Sequence, residues 1–259
     1  MLFLLLLIGI LVRCNDIITL TEDNLVSVFT VINDDTASRF IQDILKIKDD
    51  DIYIYLHTPG GRVKSGNDMV QVINTLTQQG KNIICIADFA ASMGFIIFQS
   101  CPTRYILDTS ILMQHQMSLY LDGQIERIKS ELEMIDKMEK DLNTKQAERL
   151  GMTYEEFYDK INNDWWIYGD DNIKSNIADD IVNVICDKPL LDNSYNITIR
   201  TFFGRVVLEF SSCPLIKYPL SISFPDLDED NPPSAEEVYD ALSNNDIKLK
   251  NILKKYMKL

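Results

Sequence analysis

Short apolar segments of strand character alternate with helical segments in the first half of the chain. Ile52–Leu56 and Ile83–Ala87 are rich in β-branched and aromatic residues and predict buried strands. Between them, Gly66–Leu76 has the apolar spacing of an amphipathic helix. A strand, a helix and a second strand in this order favour a parallel sheet, because the helix returns the chain to the edge where the next strand begins. The sequence therefore predicts an α/β fold.

Each of these two strands runs into a segment of small residues. The first is followed by His57-Thr58-Pro59-Gly60-Gly61, where paired glycines allow a close approach of a second backbone. The second is followed by the small residues around Ser92, before the apolar helical segment Phe95–Phe98. Loops after parallel strands meet at one edge of the sheet, where α/β folds place their sites. We expect a functional site there.

Ser92 lies at a predicted strand-to-helix junction. The first N–H groups of a helix have no partner within the helix, so they can stabilise an oxyanion beside a nucleophilic serine. Small residues at a helix start are also what ordinary capping and close packing require. Both interpretations stay open on this segment alone.

A hydrolytic serine needs a general base, and the chain contains two histidines. His115 ends the apolar segment Ile111–Gln114, 23 positions after Ser92 (115 − 92). A histidine beside apolar residues is often only a core group. His57 is the rival base, but it directly precedes the Pro-Gly-Gly turn, where its side chain is expected to point away from a substrate. We therefore favour His115.

Three motifs in this order resemble those of the Clp protease proteolytic subunit, a member of the ClpP/crotonase-like superfamily. They are Thr58-Pro59-Gly60-Gly61, Ala90-Ala91-Ser92-Met93-Gly94 and Met113-Gln114-His115-Gln116. Thr58 and Gln116 replace a serine and a proline of the family pattern. Asp164-Trp165-Trp166-Ile167 aligns with the segment that carries the family's catalytic acid. The resemblance covers roughly residues 17–186.

The resemblance implies a serine endopeptidase that acts on unfolded polypeptides or short peptides. Ser92 would be the nucleophile, His115 the general base and Asp164 the residue that orients the imidazole. The backbone N–H groups of Gly61 and Met93 would form the oxyanion hole. Gly60 and Gly61 would bind an extended peptide as an added strand.

The resemblance also implies an architecture: a repeated β-β-α superhelix with a protruding handle helix. Residues 119–150 carry apolar positions at helical spacing among many charges, which is typical of a long amphipathic helix. In the family this helix interlocks two rings of seven subunits. We therefore expect a homo-oligomeric ring, and we leave open whether an ATP-driven unfoldase is a partner.

Two alternatives to an active Clp-type peptidase remain. An apolar run at residues 1–12 favours a membrane-associated peptidase similar to signal peptide peptidase A, although that class uses a lysine base. The other alternative is an inactive homologue that serves as a scaffold subunit. The presence of serine, histidine and aspartate at the three motif positions argues against it.

Composition excludes one class of partner. The chain has 39 acidic and 25 basic residues, a net charge of −14, which argues against binding to nucleic acid. Its five cysteines show no CxxC spacing, so we expect neither a zinc site nor a disulfide framework. No metal or other cofactor is expected.

The sequence predicts three regions. Residues 1–14 are an apolar leader, a signal or anchor candidate; 15–187 are the peptidase domain; and 188–259 are an α+β extension. In the extension we expect a β-hairpin around Gly204, an acidic linker at 226–233, a final helix and a basic tail. Asn196-Ile197-Thr198 is a glycosylation acceptor if the chain enters a secretory route. A functional leader implies a membrane-associated or secretory location, and otherwise we expect the cytoplasm.

Overall fold

The computed structural model describes residues 17–201 and 204–226. Four predictions fall outside these residues or almost wholly so: the leader at 1–14, the acidic linker beyond Asp226, the final helix and the basic tail.

The chain divides into two compact units. The first contains Asp23–Val184 and the N-terminal residues up to Ile18, and the second contains Thr19–Glu22 and the chain from Ile185 onward. All the residues predicted to form the site belong to the first unit.

The first unit alternates strands and helices as the sequence predicts. Its elements are β2 (Leu25–Val28), α1 (Asp34–Ile44), β3 (Asp51–Thr58), α2 (Val63–Gln78), β4 (Asn82–Ala91), α3 (Met93–Ser100), β5 (Thr103–Gln114), α4 (Ile125–Leu150), α5 (Tyr154–Ile161), β6 (Trp165–Tyr168), α6 (Asp171–Lys174) and β7 (Asp180–Ile181). They are preceded by β1 (Ile17–Leu20) and followed by β8 (Asn183–Cys186), which together form a small two-stranded sheet.

Six strands form the central sheet, in the order β2-β3-β4-β5-β6 with β7 also paired to β5. The strands β2, β3, β4 and β5 are parallel, and only β6 runs antiparallel to its neighbour. The predicted parallel sheet is thus confirmed. Alternate residues such as Ile52, Ile54 and Leu56 are fully buried in the main core.

Local sequence accounts for the helix ends. Asn33 caps α1 in a reciprocal capping box with Thr36, so the helix begins at Asp34. Thr153 and Glu156 form a second capping box at α5. Gly151 ends α4 in the left-handed conformation, with φ of 72°.

The long helix α4 differs along its length. Its last turns are buried, with Ala147 and Leu150 in the main core. No residue from Ile125 to Leu142 is buried by the described part of the chain. The apolar side chains of this stretch, including Leu132 and Ile125, therefore form a stripe that the described residues do not bury.

Strand β4 contains a β-bulge at Asp88. Against β3, Ala87 pairs with Leu56 and Phe89 pairs with His57, so the register of the two strands shifts by one residue at Asp88. The register against β5 also shifts between Ala87 and Phe89. A single extra residue reverses the alternation of side chains beyond it.

The second unit is built on a three-stranded antiparallel sheet. Its elements are α7 (Lys188–Asp192), β9 (Ser194–Thr201), β10 (Gly204–Ser211) and β11 (Ser221–Ser223). The predicted hairpin around Gly204 is confirmed, since Gly204 pairs with Thr201 and the ladder continues to Ser211 and Ser194. The core that its described residues form is small, with Val206 and Leu208 as buried members.

The prediction that the cysteines form no disulfide framework was wrong. The structure joins Cys85 to Cys101, and Cys186 to Cys213. The first bond links β4 to the end of α3, and the second links β8 to the segment after β10. Spacing did not reveal these pairs because the fold, and not proximity in sequence, brings the partners together.

Candidate active site

Ser92 occupies the turn between β4 and α3, as the sequence predicts. Its φ of 56° and ψ of −121° lie in a region that residues with a side chain rarely adopt. The Ser92 N–H donates to the carbonyl of Met113 on β5, at 2.8 Å. The turn therefore presents a serine at the N-terminus of a helix, the arrangement that exposes a nucleophilic hydroxyl.

His115 lies beside this serine. Strand β5 is the parallel neighbour of β4, with Ala91 paired to Met113, so the residues after both strands meet at the same edge. The His115 Nε2 atom lies 2.8 Å from the Ser92 Oγ atom. In the tautomer with a proton on Nδ1, Nε2 accepts a hydrogen bond from the serine hydroxyl.

Asp164 approaches the other side of the imidazole. Strand β6 runs antiparallel to β5 and pairs Trp165 with Gln114, which places Asp164 and His115 next to each other beyond the last pair. The Asp164 Oδ1 atom lies 4.0 Å from the His115 Nδ1 atom, which is longer than a hydrogen bond. The Asp164 side chain is 60% exposed and that of His115 is 28% exposed.

Residues 58–61, the glycine loop, and the adjoining Arg62 form backbone hydrogen bonds to Ile32 along one edge of the loop. The Ile32 N–H donates to the Gly60 carbonyl and the Arg62 N–H donates to the Ile32 carbonyl, both at 2.8 Å. In an extended segment, backbone groups of successive residues point to opposite sides. The N–H and carbonyl of Gly61 therefore face the open edge, and within the described residues its N–H has no hydrogen-bond acceptor.

Gly60 packs directly against the serine turn. A Cβ atom at Gly60 would lie 2.5 Å from the Ala91 carbonyl oxygen and 2.8 Å from the Met93 backbone nitrogen. Gly60 also has a φ of 88°, a conformation that favours glycine. The loop and the N–H of Met93 are thus brought together by the absence of a side chain.

Thr58 and Asp34 fix the two ends of the loop. The Thr58 hydroxyl donates to the Thr30 carbonyl at 2.7 Å and accepts the Gly60 N–H at 3.1 Å. Beyond the glycines, Asp34 accepts hydrogen bonds from Ser65 Oγ and Arg62 Nη1. These contacts, the bond from Ser65 first, lower the pKa of Asp34 from its ordinary value.

Comparison with known families decides the identity of the first unit. The family model for Clp protease matches residues 12–184, which is well over half of the 259-residue chain. The chain belongs to the Clp protease family. Clp proteases are peptidases, generally of the serine type, and they generally form oligomeric rings.

The second histidine of this Clp family chain has a different partner. The His57 Nδ1 atom lies 2.6 Å from the Asp88 Oδ2 atom, on the bulge of β4. The structure thus brings His115, and not His57, to Ser92. Sequence reasoning singled out His57 but missed Asp88, because no local pattern marks a bulge residue that faces a side chain 31 positions away.

Sequence reasoning also missed a buried pair of glutamines behind the histidine. Gln114 Nε2 donates to Gln146 Oε1 on α4 at 2.5 Å. Gln114 Oε1 accepts the backbone N–H of His115 at 3.2 Å. A polar chain therefore connects the inner end of α4 in this Clp family chain to the backbone of the histidine.

Two further observations concern metals and membranes. Within residues 17–201 and 204–226, no cluster of three or more His, Cys, Asp or Glu side chains could hold a metal ion. None of the helices in the described part of this Clp family chain has the length and apolar character that a bilayer crossing requires.

Proposed function

We propose that this Clp family chain is a serine endopeptidase that cleaves unfolded polypeptides or short peptides through Ser92, His115 and Asp164. The observation that carries the proposal is the 2.8 Å contact between Ser92 Oγ and His115 Nε2 at a strand-to-helix junction. A hydroxyl that donates to an imidazole loses its proton to that imidazole as it attacks a carbonyl.

His115 takes the serine proton as the general base and then gives it to the leaving amine as the general acid. Asp164 orients the ring through Nδ1 and stabilises the imidazolium that forms. At 4.0 Å it acts on the charged ring without a hydrogen bond. Two unit charges at that separation attract by about 1 kcal/mol in bulk water and by about 4 kcal/mol at an effective dielectric constant of 20. Closer approach and exclusion of water would strengthen its role, since catalytic hydrogen bonds are often long before substrate binds.

The backbone N–H groups of Gly61 and Met93 stabilise the oxyanion of the tetrahedral intermediate. The open edge of the glycine loop supports this role, because Ile32 occupies the opposite edge and leaves the Gly61 N–H toward a ligand. The same edge accepts an extended peptide as an added strand. Binding through the backbone explains how such an enzyme acts on many sequences.

Helix α4 serves as an assembly surface of a homo-oligomeric ring. Support comes from the apolar stripe on Ile125–Leu142, which the described part of the chain does not bury. The family's repeated β-β-α superhelix, its handle and its ring geometry remain predictions for this chain. An ATP-driven unfoldase partner stays open.

A peptidase with a lysine base, similar to signal peptide peptidase A, is the second candidate chemistry. The partner of Ser92 Oγ argues against it, since within the described residues that partner is an imidazole and no lysine bonds to the hydroxyl. An inactive scaffold subunit remains the other alternative, and the approach of all three side chains argues against it.

Fluorophosphonate labelling of the full chain tests the proposal. This reagent reacts with activated serine hydroxyls, so we expect labelling of the wild type and none of Ser92→Ala. Ser130→Ala, which removes an exposed serine on α4, is the matched control and should label like the wild type. Cleavage of an unstructured peptide should follow the same pattern, while assembly survives in Ser92→Ala.

Native mass measurement on the same samples separates the alternatives. Labelling in a large multiple of the 29.8 kDa chain supports a Clp-type chamber. Labelling in a monomer or small oligomer favours the membrane-associated peptidase. A folded ring that does not label favours the scaffold, and equal labelling of Ser92→Ala contradicts the assigned nucleophile.

A further inference from the structure

The pair formed by His57 and Asp88 lies outside the proposed triad. Their side chains are 24% and 11% exposed, and the Nδ1 to Oδ2 distance is 2.6 Å. A carboxylate can only accept a hydrogen bond, so Nδ1 carries the proton and donates it. A charge-assisted bond at this depth is stronger than the same bond in water.

The pair joins two elements that determine the site. His57 is the last residue before the loop that starts at Thr58, and Asp88 is four residues before Ser92 (92 − 88). The bond therefore connects the start of the glycine loop to the strand that delivers the serine.

Asp88 is also the residue that reverses the side-chain alternation of β4. Before it, Cys85 and Ala87 point into the main core, and after it Ala90 does so. Without the bulge the residues that follow would turn to the other face of the sheet. The extra residue therefore determines the direction in which the Ser92 turn leaves the strand.

The surroundings of the pair restrict its movement. The His57 ring packs against Phe29 and Phe89, with centroids 5.8 and 5.7 Å away. The fully buried Tyr55 lies on the same face, two residues before His57 in β3. Burial raises the pKa of Tyr55, and the negative charge of Asp88 raises it further. Aromatic rings thus pack against His57, which donates a hydrogen bond to the Asp88 carboxylate.

We propose that His57 and Asp88 are positioning residues that lock the β4 bulge and thereby align the glycine loop with Ser92. The proposal rests on the proposed function for its catalytic consequence, whereas the alignment itself is a property of the fold. Neither residue takes part in proton transfer, which belongs to His115.

Asp88→Ala is the decisive variant and Asp88→Asn is its conservative counterpart. The side-chain oxygen of asparagine still accepts a hydrogen bond from His57 Nδ1, so Asp88→Asn should keep most of the alignment and of the turnover. In Asp88→Ala we expect amide exchange of residues 57–62 and 89–94 to rise about tenfold, with exchange elsewhere unchanged. On an unstructured peptide we expect kcat to fall about a hundredfold with little change in KM.

Asp50→Ala is the matched control. Lys81 Nζ donates to Asp50 Oδ1 at 3.0 Å, so this pair joins the opposite ends of the same two strands, β3 and β4. Removal of the Asp50 side chain should leave kcat unchanged, and likewise the amide exchange of residues 57–62 and 89–94. A fall equal to that of Asp88→Ala would show a general weakening of the strand pair and would overturn the positioning role.

Other results of these experiments also test the positioning role. Wild-type exchange in Asp88→Ala overturns the proposal whether or not the chain is a peptidase. A shift in the midpoint of the pH profile of kcat/KM would assign the pair to proton transfer and would likewise overturn it.

If Asp88→Ala unfolds, the double variant His57→Phe, Asp88→Ala leaves no unpaired charge and carries the same expectations. Absence of labelling in the wild type counts against the proposed function alone.

Discussion

At the scale of single residues, two positions of the proposed triad hold unusual backbone conformations. Ser92 and Asp164 have φ values of 56° and 51°, and within the described residues Asn176 is the third non-glycine with positive φ. Such conformations cost about 1–3 kcal/mol each, and they persist where the surrounding structure fixes them. Their coincidence with the proposed nucleophile and acid supports a function that depends on exact side-chain direction.

Asp164→Asn should lower kcat without loss of the fold. The amide removes the charge that stabilises the imidazolium and can favour the wrong tautomer, so we expect a fall of about 100- to 10,000-fold. Steady-state kinetics on an unstructured peptide measures the change, and native mass and circular dichroism check assembly and fold. Asp159→Asn, an exposed aspartate on α5, is the control. Unchanged turnover in Asp164→Asn would mean that another acid orients His115.

The sequence alone could favour His115 over His57 as the general base, because His57 directly precedes the Pro-Gly-Gly turn and was expected to point away from a substrate. It could not find Asp88, since a bulge depends on three strands in register. It could not find Gln146 either, because contact with Gln114 requires the packing of α4 against β5. Motifs mark residues that carry chemistry, whereas residues that position them depend on tertiary structure.

At the scale of elements, the strands and helices that position the site followed from the sequence. Apolar periodicity predicted β3, β4 and α2, and the structure confirms them with bounds a few residues wider. The two disulfides could not be predicted from the sequence. Cys186 and Cys213 meet because the β9–β10 hairpin folds the chain back, and spacing of the cysteines contains no trace of that return.

Loss of the Cys186–Cys213 bond should weaken the second unit. The core that its described residues form is small, and the bond closes a loop with a sequence separation of 27. For a loop of that length the chain-entropy model gives about 3.5 kcal/mol of stability. In the Cys186→Ser, Cys213→Ser variant we therefore expect amide exchange of β10 to accelerate roughly 400-fold, while β3 is unaffected.

Reduction provides the control for this experiment. Dithiothreitol should produce the same acceleration in the wild type and no further change in the double variant. Equal exchange of β10 with and without the bond would mean that the small core stabilises the unit by itself.

At the scale of the whole molecule, the apolar stripe of α4 is the feature that the described part of one subunit does not explain. Ile128→Asp with Leu132→Asp should reduce the native mass, because charges on the apolar stripe oppose its burial in an assembly. Ser130→Asp lies on the opposite face of the helix and should leave the mass unchanged. An unaltered mass in the double variant would show that assembly uses another surface.

The close contact between Gly60 and the serine turn has a consequence for how this sequence can vary. Every codon change that alters Gly60 adds at least a Cβ atom within 2.8 Å of three atoms of the turn, so no replacement is neutral there. Gly80 also has positive φ, but its surroundings are open. In a selection for activity, position 80 should tolerate the residues that adopt positive φ at the lowest cost, such as asparagine, and position 60 only glycine. Inheritance of the activity would then depend on a position that itself contributes no side chain.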